Sequence, residues 1–258
     1  MIDTHAHLSK KFSPAVAEPV VCGVRVVLAA SNLEDSGENI ELAKINPKLF
    51  ASVGIHPQCT DPKNTDSIEK QLGIISDLVK NNKNVTAIGE CGMDLSTPPP
   101  EERERNRNEQ EKLFRGQIEI ARKYKLPLII HARKAVDEVI EILKEYKDIR
   151  GVFHCYAGGK KRIKKVLDLG DGWYFGIDGN LTYEIGLNEV VGEIPKDRLI
   201  LETDSPFLTP IPHRGEINKP EYVKFIYEKV AEIWHVDFDE AEKIIDGNAR
   251  TLFKLKSL

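Results

Sequence analysis

The sequence predicts an α/β fold, specifically a (β/α)8 TIM barrel, on three observations. Eight short apolar segments recur at intervals that suit parallel strands, and segments with helical spacing lie between most of them. The length of 258 residues suits one such barrel. An open, doubly wound sheet is the main competing architecture, but eight strand and helix units fit a closed barrel better in a chain of this size. We therefore expect a single domain over residues 1–258.

The predicted strands are short apolar runs, as expected for a parallel sheet buried on both faces. They cover residues 1–5, 24–30, 50–55, 85–90, 127–131, 151–154, 173–177 and 198–203. Helical spacing is clear at 68–79 and 113–124. Two more amphipathic patterns, at 222–234 and 240–253, are expected to pack across the outside of the barrel.

Two connections depart from this regular spacing. Residues 8–23 form a short connection with two prolines, and residues 96–107 are first proline-rich and then charged. We interpret the second as an exposed loop that leads into a helix.

Composition excludes several classes of protein. A formal net charge of −4 argues against a dedicated, strongly basic nucleic-acid binder. We find no apolar run long enough to span a bilayer and no signal-like amino terminus, so we expect a cytoplasmic protein with no membrane association. The four cysteines show no CxxC spacing and are expected to be free thiols.

The first predicted strand ends in a histidine pair. Residues two apart on a strand point to the same face, so His5 and His7 can direct two imidazoles at one point. A single histidine at a strand end often only hydrogen-bonds a neighbouring backbone group, but the paired spacing favours metal ligands.

Four more candidate ligands each end a separate predicted strand: Glu90, His131, His154 and Asp204. Carboxyl ends of barrel strands converge on one face, where active sites lie. Burying six such groups together is costly unless they are paired or bind metal. We therefore predict one or two divalent ions per subunit, with Zn²⁺, Mn²⁺ and Mg²⁺ all compatible with this ligand set.

Two of these carboxylates are also candidate catalytic residues. Glu90 could bridge two ions, since each of its oxygens can bind one. Asp204 is placed to hold the attacking water and accept its proton. Paired ions of this kind activate water and stabilise negative charge in hydrolysis.

Seven short motifs extend this pattern along nearly the whole chain. They are Ile2-Asp3-Thr4-His5-Ala6-His7-Leu8, Gly54-Ile55-His56-Pro57, Ile88-Gly89-Glu90-Cys91-Gly92-Met93-Asp94, Ile130-His131-Ala132-Arg133, His154-Cys155-Tyr156-Ala157-Gly158-Gly159, Leu201-Glu202-Thr203-Asp204-Ser205-Pro206 and Arg214-Gly215-x-x-Asn218-x-Pro220-x-Tyr222-Val223. In this order they resemble the TatD family of metal-dependent deoxyribonucleases, a branch of the amidohydrolase-like barrels.

The resemblance implies a ligand assignment and an activity. One metal would be held by His5, His7, Glu90 and Asp204, and the second by Glu90, His131 and His154. It also implies hydrolysis of DNA phosphodiester bonds by a metal-activated water, often with exonuclease character. DNA is then the expected substrate, and no obligate protein partner is indicated.

Three further residues are candidates for substrate binding. His56 either hydrogen-bonds a substrate phosphate or fixes the turn after the third strand. Arg133 and Arg214 either clamp phosphate oxygens or form structural salt bridges.

Other polar residues have more modest interpretations. Glu202 is expected to orient a ligand or the attacking water, whereas His213 and His235 are expected to be solvated or structural. The basic run at 160–165 is interpreted as a solvated helix face, with attraction of a nucleic-acid backbone as the alternative.

Two other functions stay open at this point. A metal-dependent amidohydrolase or esterase would keep the metals but act on a small amide or an aminoacyl ester. A non-catalytic metal-binding scaffold would not need the complete ligand set that this sequence carries.

Overall fold

The computed structural model describes residues 1–8, 23–59, 68–99 and 106–255, and in it the strands form one parallel, eight-stranded sheet in sequence order. The strands are β1 Ile2–Ala6, β2 Arg25–Leu28, β3 Leu49–Val53, β4 Val85–Asp94, β5 Leu128–Arg133, β6 Gly151–Phe153, β7 Trp173–Ile177 and β8 Leu199–Leu201. Its two edges meet where His7 N donates to Ser205 O at 2.7 Å and Asp204 N donates to His5 O at 2.9 Å. The predicted (β/α)8 TIM barrel is confirmed.

Helices connect and cover the strands. The described α-helices are α1 Leu33–Ile45, α2 Ile68–Asn81, α3 Arg107–Tyr124, α4 Val136–Leu143, α5 Lys160–Leu167, α6 Ile185–Glu193, α7 Val223–Trp234 and α8 Phe238–Phe253. The helical spacing at 113–124 covers only the later turns of α3, because Asn106 caps the helix and its first turns carry polar side chains that hide the apolar period. Residues 9–22 and 100–105, which make up much of the two irregular connections, lie outside the described residues.

The amino end of the barrel interior is filled by apolar side chains. One buried residue comes from each of seven strands: Ile2, Val27, Ala87, Ile129, Val152, Tyr174 and Ile200. Phe253 and its neighbours at the end of α8 pack on the same cluster, so α8 covers this end of the barrel. Within the described ranges, no helix combines the length and apolar character needed to cross a bilayer.

Strand alternation turns the interior polar at the carboxyl end. His131, His154 and Glu202 each follow an interior apolar residue by two positions and therefore point to the same side. The residues that alternate with these along each strand point outward and pack against the helices.

Strand β4 differs from the prediction in a way that positions Glu90. The strand continues to Asp94, and its register with β5 shifts between Ile88 and Cys91. A Cβ atom at Gly92, where φ is +134°, would lie 2.1 Å from the carbonyl oxygen of His131. A Cβ atom at Gly89 would lie 2.6 Å from a β5 carbonyl oxygen. The prediction that Glu90 ends β4 is therefore wrong: the strand continues past it, and Gly89 and Gly92 lie within the strand and allow an irregularity there.

Candidate metal centre

Four donor atoms come together where β1, β4 and β8 approach one another. We call His5, His7, Glu90 and Asp204 the first group. His5 Nε2 lies 3.3 Å from His7 Nε2, 3.5 Å from Glu90 Oε2 and 3.6 Å from Asp204 Oδ1. Ligands bound about 2.1 Å from a tetrahedral ion are separated by about 3.4 Å, so these spacings fit a divalent ion.

The other oxygen of Glu90 faces a second set of imidazoles. We call Glu90, His131, His154 and His56 the second group. Glu90 Oε1 lies 2.8 Å from His131 Nδ1, 3.6 Å from His154 Nε2 and 3.4 Å from His56 Nε2. The two oxygens of one carboxylate therefore divide the site between two clusters of histidines.

His56 was predicted to contact a substrate phosphate or to fix a turn, and it also lies close to the other histidines of the second group. Its ring centroid lies 4.3 Å from that of His131, and its Nε2 atom, with Glu90 and His131, belongs to a group of donors able to share an ion. Its Nδ1 atom accepts a hydrogen bond from Gln58 N, which fixes the ring. His56 thus fixes the local turn and also presents Nε2 to Glu90.

Buried carboxylates orient two of the imidazoles. Asp94 Oδ2 lies 3.2 Å from His131 Nε2, and Glu202 Oε1 lies 3.0 Å from His154 Nδ1. A carboxylate on the far nitrogen fixes the ring and its tautomer and makes the near nitrogen a better ligand. Burial opposes the charged imidazole of His154, but the charge of Glu202 raises its pKa to about 10.

The carboxylate of Glu90 is held in its ionised form. Burial opposes ionisation, but the imidazoles of His56, His154 and His131 lower the pKa of Glu90 well below its usual value. In the same way, burial opposes ionisation of Asp94, while hydrogen bonds from His131 and Ser96 lower the pKa of its carboxyl group. Both side chains therefore present negative charge to the site at neutral pH.

A buried aspartate ties β1 to the end of β8. Asp3 Oδ1 accepts hydrogen bonds from His5 N at 3.2 Å and Thr203 N at 2.9 Å, and Oδ2 accepts one from Thr203 Oγ1 at 2.6 Å. Since Thr203 precedes Asp204, this tie fixes both strand ends of the first group. Asp204 adopts a left-handed φ of 54°, which aspartate tolerates better than most residues.

A cavity of about 340 Å³ opens beside these residues. Its lining includes His131, His154, Asp204 and Arg133. Arg133 is exposed, and within the described part of the chain no carboxylate forms an ion pair with it. The salt-bridge alternative for Arg133 therefore has no support among the described residues.

Arg214 is placed differently. Its Nη1 atom donates to the hydroxyl of Tyr183 at 3.0 Å, and the guanidinium carbon lies 3.9 Å from the centroid of the Tyr183 ring. The structure therefore gives Arg214 an aromatic partner that the sequence did not suggest.

The remaining candidates take structural positions. The ring of His213 stacks on Tyr222 at 4.1 Å, and His235 ends α7 in a left-handed conformation. In the basic run, Lys160, Arg162, Lys164 and Lys165 form ion pairs with carboxylates. These pairs favour a solvated helix face over a nucleic-acid contact.

Two cysteines adjoin candidate ligands in the sequence. Cys91 and Cys155 are free thiols, and burial raises the pKa of both. Cys22 lies outside the described residues. The two thiols therefore stay protonated at neutral pH, as small side chains packed beside the site.

Comparisons with known proteins identify the family of this chain. The family described as TatD-related DNase matches residues 2–254. A Bacillus subtilis (strain 168) relative named as the uncharacterized metal-dependent hydrolase YabD is 33% identical, over 99% of both chains. A Salmonella typhimurium relative named as the 3'-5' ssDNA/RNA exonuclease TatD is 29% identical, over 98% of this chain and 96% of its own.

A solved structure gives the same result for the fold. The crystal structure of YjjV, a TatD homolog from Escherichia coli K12, superposes with a TM-score of 0.86 at 26% sequence identity and covers 99% of this chain and 98% of that one. The chain therefore belongs to the TatD-related DNase family of metal-dependent hydrolases.

Proposed function

We propose that this metal-dependent hydrolase cleaves the phosphodiester bonds of DNA at the carboxyl end of its barrel. The observation that carries the proposal is the division of the Glu90 carboxylate between two histidine clusters. We assign the first metal to His5, His7, Glu90 and Asp204, and the second to Glu90, His131 and His154. This donor set of imidazoles and carboxylates fits Mg²⁺, Mn²⁺ or Zn²⁺.

The metals and the protein side chains would divide the work of hydrolysis. Divalent ions, when bound, lower the pKa of water and offset charge on phosphate oxygens. Asp204 lines the cavity; burial opposes its ionisation, but the imidazoles of His7, His154 and His5 lower its pKa below the usual value. It is therefore ionised at neutral pH and positioned to accept a proton from the attacking water.

Arg133 is the candidate contact for the substrate backbone. Its exposed guanidinium at the cavity can donate two parallel hydrogen bonds to phosphate oxygens, a geometry that lysine cannot reproduce. His56, whose Nε2 faces Glu90, is proposed to contact the same phosphate or to add a donor to the second metal. The name of the Salmonella relative supports a nucleic-acid substrate.

The test is hydrolysis of end-labelled single-stranded and double-stranded DNA by metal-stripped protein, before and after addition of Mg²⁺, Mn²⁺ or Zn²⁺. A panel of amides and aminoacyl esters is assayed in parallel. The His5→Ala, Asp204→Ala double variant removes metal ligands, and Asp168→Asn, on the exposed end of α5, is the matched control. Metal-dependent DNA cleavage that only the double variant loses supports the proposal. Turnover of an amide or ester without DNA cleavage would overturn the proposal and make amide or ester hydrolysis the activity.

A further inference from the structure

Three side chains form a connected group at the edge of the cavity. Asn180 lines the cavity together with His131, His154 and Asp204, and its Oδ1 atom accepts a hydrogen bond from the hydroxyl of Tyr183. The same hydroxyl accepts a hydrogen bond from Arg214 Nη1 at 3.0 Å. Arg214 is thus linked to the candidate metal centre through two residues of the loop that follows β7.

The two loops that carry this group are packed against each other. Ile211 N donates to Thr182 Oγ1 at 2.9 Å. A Cβ atom at Gly179 would lie 2.1 Å from the carbonyl oxygen of Leu208, so only glycine allows this close approach of the loop after β8. Arg214 and Tyr183 are therefore held on a joined surface beside the site.

The position of the guanidinium suggests what it binds. The guanidinium carbon lies 3.9 Å from the centroid of the Tyr183 ring, and its Nη1 donates to the Tyr183 hydroxyl, so Tyr183 fixes the position of the guanidinium. Arg214 is exposed, and no carboxylate of the described residues pairs with it. Such a guanidinium offers an exposed planar face to a ligand, and arginine planes stack on nucleobases as aromatic rings do.

We propose that Arg214, supported by Tyr183, is a stacking platform for a nucleobase of single-stranded nucleic acid, placed beside the phosphate that Arg133 would bind. The inference rests on the proposed function and deepens it. A base can offer its face to this platform when it is unstacked from its neighbours, which selects a single strand or a frayed end over an intact duplex. A phosphate contact by the free edge of Arg214 is the competing role.

The test compares an ordinary strand with one that lacks bases. Binding of a short, labelled phosphorothioate oligothymidylate, which resists hydrolysis, is measured by fluorescence anisotropy in Mg²⁺. A strand of the same length with abasic residues is measured in parallel. The variant Arg214→Lys keeps the charge and loses the plane, and Tyr183→Leu removes the support. Arg122→Lys, another exposed arginine lying over a tyrosine but on the outer surface, is the control.

We expect Arg214→Lys and Tyr183→Leu each to weaken binding of the ordinary strand at least about five-fold, with the abasic strand nearly unaffected. Equal losses for both strands would assign Arg214 to phosphate, and unchanged binding of both would remove it from the binding surface; either result overturns the stacking role alone. Failure of the unmodified protein to bind either strand would instead overturn the proposed function. Melting curves confirm that each variant is folded.

Discussion

The two halves of the candidate metal centre differ in burial and in support. In the first group, the side chains of His5 and His7 are 0% and 6% exposed and that of Asp204 is 14% exposed, and Asp3 ties their strand to β8. In the second group, His56 and His131 are 12% and 17% exposed, whereas His154 is 5% exposed, and the carboxylates Asp94 and Glu202 contact His131 and His154. The half that holds the buried pair His5 and His7 suits an ion that stays bound, whereas the half that holds the more exposed His131 suits an ion that exchanges and meets the substrate.

The largest effect is expected from the residue that the halves share. Glu90→Gln removes a charge from both groups, so hydrolysis should fall by more than about 100-fold, beyond the usual effect of losing a residue that only orients a ligand. Steady-state DNA cleavage with saturating Mn²⁺ measures this, and melting curves test the fold. Full activity in Glu90→Gln would contradict the shared carboxylate.

Removing one histidine from each half in turn tests the two proposed ions independently. His131→Ala should lower the bound metal from two ions to one and leave the buried ion in place, whereas His5→Ala should weaken the buried site itself. Elemental analysis after dialysis against trace metal counts the ions. If both variants lose metal equally, the proposed difference between the halves does not exist.

Replacing the carboxylates that contact the far nitrogens of the imidazoles should have a smaller effect on the site. Asp94→Asn and Glu202→Gln leave every ligand in place but remove the charge that orients His131 and His154, and each should weaken metal binding by about 10- to 100-fold. Isothermal titration with Zn²⁺ gives the affinities. Unchanged affinity in both variants would mean that the rings need no such support.

Acid should release bound metal from both halves. Although burial opposes it, contacts with Asp94 and Glu90 raise the pKa of His131, and contacts with Asp204 and Glu90 raise that of His7, whereas burial lowers the pKa of His5. An ion must displace a proton from a histidine of raised pKa, so its affinity falls as the pH falls. We expect activity to decline below about pH 6. An activity profile that stays flat to pH ~4.5 would contradict histidine ligation.

The sequence predicted the parts of the fold and site that depend on simple periodicity. His131 was predicted to end its strand but lies within β5, two residues before its end, and His154 directly follows β6; alternation directs both side chains inward. Asp204 follows β8 and is brought to the first group through its backbone hydrogen bond to His5. The barrel could also be predicted from the sequence, because each buried strand is a separate apolar run.

What the sequence missed depends on contacts between strands. The irregularity in β4 follows from two glycines against the β5 backbone, and no periodic pattern reveals that. Asp3 shares a motif with the ligands, but its bonds to Thr203 cross from the first strand to the last. The role of Asp94 was missed for the same reason, although its position four residues after Glu90 was a usable signal.

The measurement that tests the central claim most directly is anomalous X-ray diffraction from a crystal grown with Mn²⁺. The account predicts two peaks separated by about 3.5 to 4 Å, one on each side of the Glu90 carboxylate. Two ions that share no ligand, or no ion within reach of Glu90, would contradict it.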